Sequence, residues 1–111
     1  MLKTLMNNKI KLYKHEINNI YNAGKHINSS YVKLITLKNS YNQNRLVFSI
    51  KKQHANAVER NKIKRRITAI IRKNEQINGF DMVVSVFPKI KIATFTELEE
   101  DFKKMLVKLE K

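Results

Sequence analysis

Apolar residues recur along this chain in two rhythms, every third or fourth position and every second position, which predict helices and strands respectively. In HEINNIYNAG, Ile17, Ile20 and Tyr21 stand at i, i+3 and i+4, predicting a short helix with Gly24 as its C-terminal stop. YVKLITLK alternates and is rich in β-branched residues, NSYNQN supplies a turn, and RLVFSIKK places Leu46, Phe48 and Ile50 on one face, so the two segments are expected to pair as a hairpin. Residues 57–74, AVERNKIKRRITAIIRKN, predict a helix anchored by Ile63, Ile67 and Ile70, with Ile71 at the edge of the stripe. Asn78-Gly79 breaks the chain, and FDMVVSVFP then predicts a strand closed by Pro88, its near-continuous apolar run expected of a strand covered on both faces. In TELEEDFKKMLVKLEK, Thr96 and Glu99 have capping-box spacing, and Leu98, Phe102, Met105, Leu106 and Leu109 line one face. Acids early and lysines late suit that helix's dipole, so its lysines are read as a solvated face. Residues 1–14, basic and weakly patterned, are expected to be an extended arm. The order α-β-β-α-β-α describes a small α+β sandwich, one domain over residues 1–111.

Charge changes this picture. The net charge of +14 concentrates polyanions at the surface, making nucleic acid the first partner to consider and an acidic membrane the second. There is no cysteine for a disulfide or a thiolate metal site. No apolar run is long enough for a secretion signal or a membrane span, so a cytoplasmic protein without membrane association is expected. The five arginines are Arg45, Arg60, Arg65, Arg66 and Arg72, and four of them lie in residues 57–74.

On a wheel of about 100° per residue, with Ile63, Ile67 and Ile70 inward, Asn61, Arg65, Thr68 and Arg72 point outward. Lys62, Arg66 and Lys73 lie on one shoulder and Lys64 on the other, while Arg60 projects toward the apolar side near the helix start. Glu59 is the only acid in the segment, whereas a solvated face ordinarily interleaves acids at i±4. The apolar stripe therefore anchors the helix and the remaining circumference is offered to an anion. A strand precedes this helix, which disfavours helix-turn-helix docking in a DNA groove and favours phosphates or an A-form RNA backbone.

The segment NAVERNKIKRRI resembles the signature of the bacterial ribonuclease P protein component: asparagine-alanine-valine, a variable residue, arginine-asparagine-arginine, then a lysine-arginine pair. Asn56, Ala57, Val58, Arg60, Asn61, Lys64 and Arg65 match it position by position. The basic arm, the helix ending at Gly24, the strands leading to SIKK and the aspartate-led DMVVSVFP extend the resemblance over nearly the whole chain. Lys62 replaces the second arginine of the triplet, keeping charge without the planar fork, and Thr68 stands where an arginine is frequent. Ala55 replaces a glycine, and of a lysine pair Lys52 remains beside Gln53.

The resemblance implies a two-layer α/β sandwich with a left-handed β-α-β crossover. It implies the protein subunit of a ribonucleoprotein that removes the 5′ leader of precursor tRNA by hydrolysis dependent on Mg2+, held mainly by the RNA subunit. Its partners would be the RNase P RNA subunit and precursor tRNA, with no obligate protein partner. RNA-binding positions carry over to Lys52, Arg60, Asn61, Lys62, Lys64, Arg65, Arg66 and Arg72, and the leader cleft to Ile17, Tyr21 and Ile35. Aromatic rings at such cleft positions can stack on bases, and only Tyr21 has one here; core packing is the competing reading for all three. His15, His26 and His54 have no metal-ligand spacing and no H-E-x-x-H is present, so no catalytic or metal-binding residue is assigned. A ribosomal or other structural RNA-binding protein, without a role in cleavage, would share the charge and architecture.

Overall fold

A computed structural model describes residues 12–74 and 77–110. It orders them as α1 (Lys14–Ala23), β1 (Lys25–Asn28), β2 (Val32–Lys38), β3 (Arg45–Ser49), α2 (Ala57–Lys73), β4 (Phe80–Val86) and α3 (Phe95–Val107), with 3-10 turns at Pro88–Ile92 and Lys108–Glu110. The four strands form one mixed sheet in the order β1-β2-β4-β3. The α+β class stands, with one strand more than the pattern predicts.

The hairpin is a correction. β2 does not pair with β3; β4 lies between them, antiparallel to β2 and parallel to β3. The most apolar strand takes the position covered on both faces, where its side chains bury most surface. The hairpin present is β1 with β2, from Lys25 opposite Thr36 to Asn28 opposite Lys33. β1 escapes the pattern because it is short and buries only Ile27. α2 is the crossover between the parallel strands β3 and β4.

Alternation sorts the strands into two faces. Leu34, Leu46, Phe48, Met82 and Val84 join the isoleucines of α2 and Leu98, Phe102, Met105 and Leu106 of α3 in the main core. Ile35, Val47 and Val83 point to the other face and pack with Leu12 and Ile20 under α1, with Ile17 and Leu37 at the margin. The sandwich of sheet, α2 and α3 is thus completed by α1 behind the sheet.

Of the expected arm, residues 1–11 lie outside the described residues. Leu12 is buried under α1, Tyr13 is the N-cap and Lys14 opens the helix, so the arm gives way to structure before residue 14. Gly24 ends α1 in an extended rather than left-handed conformation. A Cβ there would meet the Ile20 carbonyl oxygen and lie 2.8 Å from that of Thr36, so close approach to β2 is what requires glycine. At Gly79 the reason is conformational, with φ +82. The third helix caps at Thr94 with Glu97, not at Thr96 with Glu99. Both pairs have the spacing; the earlier start lets Phe95 pack on the core, and Glu97 also accepts a hydrogen bond from Tyr31 Oη at 3.5 Å.

Candidate RNA interface

Asn56 starts α2 by accepting a hydrogen bond from Glu59 N at 2.8 Å, while the Glu59 carboxylate accepts from Asn56 N at 2.9 Å. Two residues of the sequence signature region therefore serve as a capping box, and the lone acid has a structural use. Ile67 and Ile70 are fully buried and Ile71 nearly so, each such burial being worth about 1.5–3 kcal/mol. This rigid anchorage holds the opposite side of α2 in solvent.

The buried arc is wider than three isoleucines indicate. Because Ile71 is fully inside rather than at the edge, the arc centres on Ile67 and extends to Thr68, which is buried. Thr68 is thus corrected from outward to inward, and Ala69 takes its place on the surface. Asn61, Lys62, Arg65 and Arg72 are exposed; Arg60, Lys64 and Arg66 are half-buried.

Tertiary structure gathers these cations into two groups. Lys52, Arg60, Asn61 and Lys64 surround a concavity of about 340 Å³, floored by Ile50 and Ala57 at the first turn of α2. Arg60 donates from Nη1 to the Ala55 carbonyl at 2.9 Å, pinning the loop that carries Lys52 against the helix. Three cations and the Asn61 amide converge there, an arrangement suited to a phosphate. Arg65 and Arg72 flank a second, shallower depression over Thr68 and Ala69. Lys62 and Arg66 line neither. Lys73, on the cationic shoulder, is engaged by Glu99 of α3 at 3.1 Å, a partner far away in sequence.

Behind the sheet, Ile35 is core, 1% exposed; Ile17 is half-buried against the same cluster; Tyr21 is 40% exposed. Tyr21 is the one aromatic ring of the three, and it has a free surface.

Arg45 is the residue the pattern passes over. It is buried on the α1 face, where Nε and Nη2 each donate at 2.6 Å to the two oxygens of Asp81, its register partner on β4. Nη2 also reaches Glu16 Oε2 at 3.0 Å, tying the first turn of α1 to the sheet, and the Tyr41 ring covers the guanidinium at 4.4 Å. The Asp81 hydrogen bond is the main influence on Arg45, raising its pKa further above the ordinary arginine value. Asp81 could be seen to open an apolar strand, but its pairing with Arg45 depends on β3 lying beside β4.

The same fold occurs in known proteins. The family described as Ribonuclease P matches residues 6–110. The chain belongs to the bacterial ribonuclease P protein family. The ribonuclease P protein component of Finegoldia magna is 37% identical over 86 residues, covering 76% of this chain and 75% of that protein. The RNase P protein structure from Thermotoga maritima superposes with a TM-score of 0.74 at 26% identity, covering 84% of this chain and 90% of that one. That of Staphylococcus aureus gives 0.76 at 25%, covering 91% and 94%. Membership makes this chain a relative of the protein components of a tRNA-processing ribonuclease.

Among the described residues, no three His, Asp or Glu side chains converge closely enough to hold a metal ion. No helix among them is long and apolar enough to cross a membrane.

Proposed function

We propose that this chain is the protein subunit of a cytoplasmic ribonuclease P, holding the RNA subunit through the cationic face of α2 and the Lys52 loop. The observation that carries this reading is the convergence of Lys52, Arg60, Asn61 and Lys64 on one concavity at the start of α2 in a chain of this family. Lys52, from the loop before α2, meets three side chains of the helix there around a space suited to a phosphate. The other cations extend the contact along a helix of 17 residues, about 25 Å at 1.5 Å per residue. The RNA subunit supplies the magnesium and the hydrolytic chemistry; the protein binds and positions. The 5′ leader of precursor tRNA lies along α1, with Tyr21 as the stacking surface, Ile17 as its rim and Ile35 as the packed floor.

Reconstitution tests this. The protein, mixed with an in vitro transcribed bacterial RNase P RNA and precursor tRNA at low magnesium, should restore leader removal that neither component achieves alone. Binding of the RNA without stimulated cleavage would instead identify a structural RNA-binding protein. Leader contact has its own test. Tyr21→Ala should weaken reconstituted enzyme binding to precursor tRNA by about 1–3 kcal/mol, the value of one base–aromatic stack, while leaving mature tRNA binding nearly unchanged. A large fall in melting temperature with precursor preference intact would assign Tyr21 to packing.

A further inference from the structure

A cavity of about 560 Å³ lies at the opposite end of α2 from the Lys52 concavity, between the C-terminal turn and the loop joining β2 to β3. Its walls are unusually rich in amides, with Asn42, Gln43, Asn44 and Asn78 facing Ile71 and Arg72. Arg72 also borders the depression it shares with Arg65, so the two hollows meet at one guanidinium. The floor of that depression includes Thr68, whose buried hydroxyl has no hydrogen-bond partner among the described residues.

The amide cavity is pre-formed. Asn44, 6% exposed, donates from Nδ2 to the Ile77 carbonyl at 2.7 Å and accepts at Oδ1 from Phe80 N at 3.0 Å. Asn78 Nδ2 donates to the Asn42 carbonyl, and Asn39 Nδ2 to that of Gln43 at 2.9 Å. Asn42 is held at φ 56, the only non-glycine residue at positive φ among those described. Asn42, Gln43 and Asn78 are nevertheless exposed.

Resting on the proposed role as an RNA-binding subunit, we infer that this end of α2 seats one unpaired nucleotide of the RNA subunit, its phosphate between Arg65 and Arg72 and its base in the amide cavity. The division follows from electrostatics. The carbonyl end of a helix disfavours an anion, so a neutral base suits the cavity beside the last turn, and the phosphate belongs on the helix flank between two guanidinium groups. The exposed Asn42, Gln43 and Asn78 side chains carry amide donors and acceptors for a base edge. The nucleotide is unpaired because A-form duplexes hide those edges in a deep, narrow groove.

The test measures affinity for a transcribed bacterial RNase P RNA, and its dependence on salt, in protein variants whose fold is verified by thermal unfolding. Asn42→Gly, which tolerates the positive φ, combined with Gln43→Ala should weaken binding about tenfold with an unchanged salt slope, because neutral hydrogen bonds release no counterions. Arg72→Gln should weaken binding and lower the slope by about one. Adding Arg72→Gln to the amide variant should cost less than the two losses combined, since both groups hold one nucleotide. Gln43→Glu leaves the loop backbone and side-chain size unchanged and should weaken binding at least as much through repulsion of the phosphate. Wild-type affinity in either amide variant, or strictly additive losses with Arg72→Gln, would overturn the inference. If a Lys52→Gln, Arg60→Gln protein still loses affinity in that case, the RNA-subunit reading survives alone; failure of the unaltered chain to bind the RNA would remove both.

Discussion

Replacing Arg45 with methionine should lower the unfolding free energy by about 3–5 kcal/mol, the usual cost of stripping one partner from a buried ion pair. Arg45 is 1% exposed and meets both Asp81 oxygens at 2.6 Å, so its loss leaves a buried carboxylate with the Asn39 amide but no counter-charge. The double variant Arg45→Met, Asp81→Leu should recover most of the loss, because the buried carboxylate goes with the guanidinium and the Glu16 carboxylate that remains is partly exposed to water. Urea unfolding of the single and double variants checks this; a single variant as stable as the wild type would reduce the pair to packing. Glu16 adds a pH dependence. Burial pushes its carboxyl up, but the Tyr13 N–H and the Arg45 guanidinium prevail and hold it below the ordinary 4.5. Its contribution is complete above that unfolded value and is lost as pH falls through the lower folded value. Stability should therefore decline on acidification below 4.5, and Glu16→Gln should remove part of that decline. Because this bridge docks the first turn of α1, the same variants should disturb the surface around Tyr21.

Neutralising Lys52, Arg60 and Lys64 together with glutamine should weaken affinity for a bacterial RNase P RNA by about a hundredfold or more, and reduce the log-log salt slope by about two to three. The size follows from losing three charge-assisted phosphate contacts at one concavity while α2 stays anchored by isoleucines on its other side. Stability should fall only by about 1 kcal/mol, the net worth of the Arg60 hydrogen bond to Ala55. Lys103 and Lys104, exposed on α3, are the control: their glutamine variants should reduce affinity far less. Equal losses from the two sets would mean that the RNA senses net charge rather than this site.

Where a segment's own periodicity decides its environment, the order of residues is sufficient to place it. α2 runs Ala57–Lys73 with its isoleucines inside because a stripe at helical spacing has one way to be buried, and that leaves the four arginines of the segment exposed or half-buried. β4 is central because a strand apolar on both faces has to be covered twice. The asparagine-alanine-valine and arginine-asparagine positions identified the family for the same reason, being local and contiguous. What only tertiary structure decided are the relations between segments. Strand order replaced the β2–β3 hairpin with β4 between them, and the same order made Arg45 and Asp81 register partners, burying a basic residue in the core. Folding brought Lys52 to Arg60 and Lys64, gave Lys73 to Glu99, chose Thr94 over Thr96 as a cap, and assembled the amide cavity from two distant loops. Periodicity records which face of an element avoids water; it carries no information about which neighbour meets that face, because that choice minimises the free energy of all elements packed together.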